Sequence, residues 1–109
     1  MLSVWTTIKK QFNISTEYDV TIMQTEEKGE KRGYKPVHRL TITAFDHQDA
    51  ATQVFQMFNI ADNLPKDCDA RFISTGDILL IDEGTRGKYY YKLWTDGWQK
   101  VNRLHVRQI

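Results

Sequence analysis

Two stretches in the first half of the chain alternate between apolar and polar residues. In residues 18–24 the alternation places Tyr18, Val20 and Ile22 on one face, and residues 38–45 alternate in the same way. A period of two is typical of a half-buried strand. The polar, glycine-containing segment 26–36 between them reads as an exposed connection. The pattern therefore predicts two strands that pair antiparallel.

The next segment changes to a helical period. Its apolar residues recur at spacings of three and four: Ala50, Ala51, Val54, Phe55 and Phe58. Asp46 precedes this run and is a favourable N-cap residue. We expect a helix over about 47–58 that Asn59 ends in a left-handed conformation, with one apolar stripe packed on a sheet.

The C-terminal third returns to strand patterns. The continuous apolar run 78–81 predicts a central strand that is covered on both faces. Residues 88–94 predict a further strand, and the pair Asp96-Gly97 is preferred in two-residue hairpin turns before a last strand at 98–101. The predicted fold class is α+β, a mainly antiparallel sheet with one helix packed on it and a C-terminal β-meander.

Length and composition limit the classes of protein. The 109 residues are enough for one domain, 1–109, whose first 14 residues fit a short helix or a strand equally well. A net charge of +1 argues against a general polyanion binder, and a single cysteine, Cys68, suits a reducing cytoplasm. No apolar run approaches the length of a membrane span. We expect a cytoplasmic protein that does not associate with membranes.

Residue patterns for catalysis are missing from the sequence. Its three histidines, His38, His47 and His105, have no nucleophile motif nearby and read as surface or strand-edge residues. Neither metal-ligand spacing nor a phosphate-binding glycine pattern occurs. Gly76 and Asp77 read as a turn that starts a strand, because glycine permits positive φ and aspartate bonds turn amides. We therefore predict no enzymatic activity, no metal and no cofactor.

One group of residues stands out as a candidate binding surface. Residues 84–109 contain six cations and one acid, with tyrosines and tryptophans among them. In a strand, one face would carry Lys88, Tyr90, Lys92 and Trp94, while Tyr89, Tyr91 and Leu93 would face the core. The candidate partner-binding residues are Lys88, Tyr90, Lys92, Trp94, Arg103 and Arg107. This surface could anchor a protein, stack nucleic-acid bases, or be an ordinary face on which lysine stems cover the rings.

Several short motifs follow in an order that resembles a known family. They are the segment 54–59, Pro65, Asp67, the segment 71–78, Tyr89-Tyr90 and the segment 97–101. Together, over about residues 44–102, they resemble the small YodL-like domain and similar short proteins of bacteriophages and conjugative elements. The sequence departs from the family pattern at Phe72 and Thr75. The resemblance implies a mobile-element origin and action in the cytoplasm of a bacterial host, and it implies no catalytic residues.

The sequence thus predicts a small non-enzymatic protein that binds a host macromolecule, with inhibition of a host process implied by analogy alone. A host protein is the first expected partner. The alternative is a nucleic-acid-binding domain that uses the same basic aromatic face. Self-association also stays open, because an uncovered edge strand can pair two copies.

Overall fold

The computed structural model describes residues 15–27, 30, 32–59 and 72–103. Its elements are strands β1 (Thr16–Gln24) and β2 (Lys35–Ala44), helix α1 (His47–Phe58), and strands β3 (Ile78–Asp82), β4 (Lys88–Trp94) and β5 (Gly97–Val101), with a short 3-10 turn at Gly84–Arg86. The expectations for residues 1–14, Cys68, His105 and Arg107 lie outside the described residues. No helix within the described ranges is long and apolar enough to cross a membrane.

The five strands form one sheet in the order β2-β1-β3-β4-β5, and every neighbouring pair is antiparallel. Helix α1 follows β2 and packs on one face, the helix face, where the buried side chains of the sheet meet those of the helix. The opposite side of the sheet is the distal face. This arrangement confirms the predicted α+β class, the antiparallel pairing of the first two strands and the C-terminal β-meander.

Strand β3 is central, as its continuous apolar run predicts. Leu79 and Ile81 lie in the core on the helix face, and Ile78 is fully buried on the other side. Leu80 is only half-buried on the distal face. Three of the four apolar residues of β3 are therefore buried, as predicted for a strand that is covered on both faces.

Both ends of α1 agree with the sequence prediction, but the conformation of Asn59, which follows it, does not. Asp46 caps the helix, because its carboxylate accepts a hydrogen bond from the Asp49 amide at 2.7 Å. Asn59 has φ −107°, so the predicted left-handed conformation is wrong. Its side-chain amide instead bonds the amide and the carbonyl of Ile73 at 2.9 and 3.1 Å. Asn59 thus follows the helix without a left-handed conformation, and its side chain bonds a segment 14 residues away.

The hairpin between β4 and β5 is shifted by one residue from the prediction. Trp94 pairs with Gly97, so the two turn residues are Thr95 and Asp96. Gly97, with φ +120°, is the first residue of β5. The positive φ that only glycine adopts easily is needed at the start of the strand and not inside the turn.

The turn before β3 is structural, as predicted. Gly76 has φ +99°, and the buried Asp77 accepts hydrogen bonds from the Ser74 amide at 2.9 Å and from the Gln24 side chain at 3.0 Å. Because Gln24 ends β1, this carboxylate joins the start of the central strand to its neighbour. Asp77 therefore connects the start of β3 to the end of β1.

Candidate functional site

Strand β4 presents two chemically different faces. Tyr91 lies in the core, and Tyr89 and Leu93 pack against it on the helix face. The alternate residues Lys88, Tyr90, Lys92 and Trp94 consequently lie on the distal face, as the sequence alternation predicts. Lys88 and Trp94 are exposed, whereas Tyr90 and Lys92 are half-buried. We refer to these four residues as the β4 ribbon.

Apolar and polar residues of neighbouring strands flank the β4 ribbon. Tyr90 lies between Leu80 of β3 and Val101 of β5 in the register of the sheet. The Lys92 ammonium lies 4.7 Å from the centroid of the Trp94 ring, which is a cation–π distance. This contact places a cation on one face of the tryptophan ring.

Acidic residues offset the basic charge of the ribbon. Lys88 lies directly opposite Asp82, and Asp82 lies opposite Asp19. Asp19 is hydrogen-bonded to Arg39, and that bond holds the pKa of Asp19 below its ordinary value. Among the described strands, the charged residues of the distal face are Glu17, Asp19, Asp82, Arg39, Lys88 and Lys92. These three acids and three bases leave no net charge.

Three predicted site residues lie near the same end of the sheet, and Trp94 lies at the other end. Lys88 and Arg103 line one cavity of about 610 Å³, together with Tyr90 and Lys100. Trp94 lies six residues along β4 from Lys88, a separation of about 20 Å in a strand. The structure therefore brings Arg103 to Lys88 and Tyr90, but not to Trp94.

A second cavity, which the sequence does not predict, lies between α1 and the turn end of β4 and β5. Its volume is about 510 Å³. The large apolar residues of its wall are Phe55, Ile73, Leu93, Trp94 and Trp98. They come from α1, from the segment before β3 and from the β4–β5 hairpin, so no local sequence pattern predicts the cavity. We refer to it as the apolar groove.

The sequence analysis also missed a cluster around His47. Its Nδ1 lies 2.7 Å from the Tyr91 hydroxyl, and its Nε2 lies 2.7 Å from a carboxylate oxygen of Glu83. The rings of Tyr18 and Tyr89 pack against the imidazole. The side chain is only 18% exposed, so the interpretation of His47 as a surface residue is wrong.

The hydrogen bonds of this cluster form a chain. Burial, and after it the charge of Glu83, raises the pKa of Tyr91 to about 12, so its hydroxyl is protonated at neutral pH. The same two causes raise the pKa of Tyr18. A neutral imidazole accepts from the Tyr91 hydroxyl and donates to Glu83, which satisfies both ring nitrogens. The cluster thus links α1, β4 and the β3–β4 connection.

One comparison with known proteins gives a relative over almost the full chain. A Bacillus subtilis (strain 168) protein, described as "Uncharacterized protein YodL", is 51% identical over 107 residues, which are 98% of this chain and 97% of the relative. The similarity therefore extends beyond the residues 44–102 on which the sequence resemblance rests. No protein-family model matches the chain. No solved structure matches it either. The extent and identity of this match show that the chain belongs to the YodL family.

Proposed function

We propose that this protein is a non-enzymatic binding protein that contacts a protein partner through the β4 ribbon. One observation carries the proposal: β4 uses one face for the core and leaves a tyrosine and a tryptophan, flanked by lysines, on the other. Tyrosine and tryptophan are enriched among the residues that dominate binding energy at protein interfaces. Trp94 is 38% exposed, and Phe72 is the other exposed large apolar side chain among the described residues.

Two features favour a protein over a nucleic acid as the partner. The described distal face has no net charge, whereas nucleic-acid binding depends on an excess of basic over acidic side chains that can neutralise phosphates. The Lys92 ammonium also lies over the Trp94 ring, so that ring face is not open to a stacked base. A protein interface tolerates both features, because a rim of mixed charge is common around aromatic anchors.

The His47 cluster supports a role without catalysis. The His47 side chain is only 18% exposed and lines neither of the two cavities described above. Its ring nitrogens are bonded to Tyr91 of β4 and to Glu83, which follows β3. The cluster therefore fits a structural contact between α1 and the sheet better than an active site. Cytoplasmic action, an origin in a mobile element and inhibition of a host process stay predictions from the sequence.

The proposal is tested by affinity capture from a bacterial lysate with matched variants. The bait is the full chain, and the altered bait is the double variant Tyr90→Ala, Trp94→Ala. Thr41→Ala is the control, because Thr41 is exposed on the same face at the other side of the sheet. Each capture is run with and without nuclease, after thermal unfolding has shown that the three proteins are folded.

We expect one bacterial protein to be retained by the wild-type chain and by Thr41→Ala in the presence of nuclease, and to be lost from the double variant. Equal retention by all three baits would place the contact elsewhere and overturn the proposal. Loss of every specific partner on nuclease treatment would favour the nucleic-acid alternative. In that case, binding of the chain to nucleic acid should weaken as the salt concentration rises.

A further inference from the structure

Strand β5 is an edge strand of the described sheet, and alternate residues of it direct their backbone polar groups away from β4. Leu93 lies opposite Trp98, but its amide donates to the Asp77 carbonyl at 2.9 Å and its carbonyl accepts from the Gly76 amide at 2.8 Å. Both backbone groups of Leu93 are therefore used on the β3 side. In an antiparallel pair this makes Leu93 and Trp98 a non-hydrogen-bonded pair, so the amide and carbonyl of Trp98 point outward.

The same geometry recurs two residues later at Lys100, which lies opposite Tyr91. Within the described part of the chain, one hydrogen bond reaches these outward groups: the Gln48 side-chain amide donates to the Trp98 carbonyl at 3.3 Å. Gln48 is exposed and the bond is long. The Gln48 side-chain amide thus donates to the carbonyl that the backbone amide of an added strand would otherwise bond.

The apolar groove lies beside this edge. Trp98 forms part of its wall, together with Phe55 of α1 and Ile73. Residues of an added strand alternate between the two sheet faces, so a residue paired with Trp98 points toward α1 and into the groove. The groove therefore suits a large apolar side chain from such a strand.

The other end of β5 is basic. Lys100 lies on the helix face, and its ammonium lies 5.0 Å from the centroid of the Tyr89 ring. Among the described residues, the cavity there, of about 610 Å³, is lined by three cations, Lys88, Lys100 and Arg103, and by no carboxylate. An acidic side chain would be complementary to this end of the strand.

We propose that the β5 edge binds an extended peptide segment of a partner protein as an additional antiparallel strand. The segment carries an acidic residue that pairs with Lys100 and, two residues later, a large apolar residue that pairs with Trp98 and fills the apolar groove. The two-residue spacing follows from strand alternation, and the order follows from the antiparallel direction. Backbone bonds supply affinity in this mode of recognition, and side-chain pockets supply specificity. The inference goes beyond the β4 ribbon, because it adds the β5 edge, whose cavities the ribbon residues Trp94 and Lys88 also line, and it states the ligand.

The test uses a fluorescein-labelled synthetic peptide, Glu-Thr-Glu-Thr-Phe-Thr, and fluorescence anisotropy with the full chain. The second glutamate pairs with Lys100 and the phenylalanine with Trp98. One matched peptide is N-methylated at phenylalanine, which removes the amide that donates to the Trp98 carbonyl. The control is N-methylated at the preceding threonine, whose amide points away from β5.

We expect saturable binding that falls about tenfold on methylation at phenylalanine and does not change on methylation at the threonine. Lys100→Glu should weaken binding of this peptide several-fold and strengthen binding of the Lys-Thr-Lys-Thr-Phe-Thr peptide. A reversed preference cannot arise from a variant that fails to fold. Equal effects of the two methyl groups, or no saturation up to about 1 mM peptide, would overturn the proposal.

A second copy of this chain is the competing occupant of the edge. Sedimentation equilibrium distinguishes it: a dimer that the peptide does not dissociate would assign β5 to self-association and overturn the peptide assignment. The Lys92→Ala variant separates this inference from the proposed function, because Lys92 belongs to the β4 ribbon on the distal face and lines neither of the two cavities. Retained peptide binding with loss of the captured partner would support the edge site independently of the β4 ribbon.

Discussion

His47, the first residue of α1, is hydrogen-bonded to Tyr91 in the middle of β4, with 2.7 Å between Nδ1 and the hydroxyl oxygen. The two residues are 44 positions apart in the chain. The second imidazole nitrogen is bonded to Glu83, which follows β3. One side chain therefore sets the position of the helix on the sheet.

Replacing His47 should destabilise the fold. His47→Ala leaves the Tyr91 hydroxyl and the Glu83 carboxylate without this partner in a half-buried site, and we expect the free energy of unfolding to fall by about 2 kcal/mol or more. Urea denaturation followed by circular dichroism measures the change. Gln56→Ala is the control, because Gln56 is exposed on the same helix. Equal stability of the two variants would show that the cluster does not hold α1 in place.

The raised pKa of Tyr91 predicts a loss of stability at alkaline pH. The pKa rises from 10.0 to about 12 on folding, so the folded state binds the phenolic proton more tightly than the unfolded state does. This contribution is complete below pH 10 and is lost as pH rises toward 12. A shift of that size corresponds to at most about 3 kcal/mol.

The measurement is urea denaturation of the wild-type chain and of Tyr91→Phe between pH 8 and about 12. The wild-type chain should lose more stability over this range than the variant, which has no hydroxyl to ionise. Parallel curves for the two proteins would mean that other groups cause the alkaline loss.

Local patterns are sufficient for the parts of the fold that depend on neighbours in the sequence. Asp46 and the apolar spacing after it define α1, and alternation assigns the two faces of β4. The His47 cluster and the apolar groove depend instead on how α1 lies across the sheet. Glu83 and His47 are 36 residues apart, and no motif joins them. The left-handed conformation predicted for Asn59 was wrong for the same reason, since its hydrogen-bond partner Ile73 is 14 residues away.

Asp77 should be one of the most sensitive positions in the chain. Asp77→Ala removes the acceptor of the Ser74 amide and of the Gln24 side chain in a site that is 2% exposed. Leaving buried donors without an acceptor should cost about 2–4 kcal/mol of stability. Asp96→Ala is the control, because Asp96 is exposed and accepts only from Gln99 among the described contacts. Its effect should stay within about 0.5 kcal/mol, and a similar loss for both variants would contradict the role of Asp77.

The charge balance of the distal face predicts weak nucleic-acid binding. Asp82 lies opposite Lys88 and also opposite Asp19, so both carboxylates oppose the approach of phosphates to this face. We expect the wild-type chain to bind a labelled single-stranded oligothymidine only at about 100 μM or weaker at physiological salt, as non-specific binders do.

The double variant Asp19→Asn, Asp82→Asn removes two negative charges and should bind the oligothymidine more tightly, with a steeper dependence on salt concentration. Glu26→Gln is the matched control, because Glu26 is exposed and lies beyond the end of β1. Fluorescence anisotropy at two salt concentrations gives both quantities. Submicromolar binding by the wild-type chain would contradict the argument from charge, because the distal face would then attract phosphates despite its acids. The β4 ribbon would in that case be a nucleic-acid interface, with Lys88 and Lys92 as phosphate contacts.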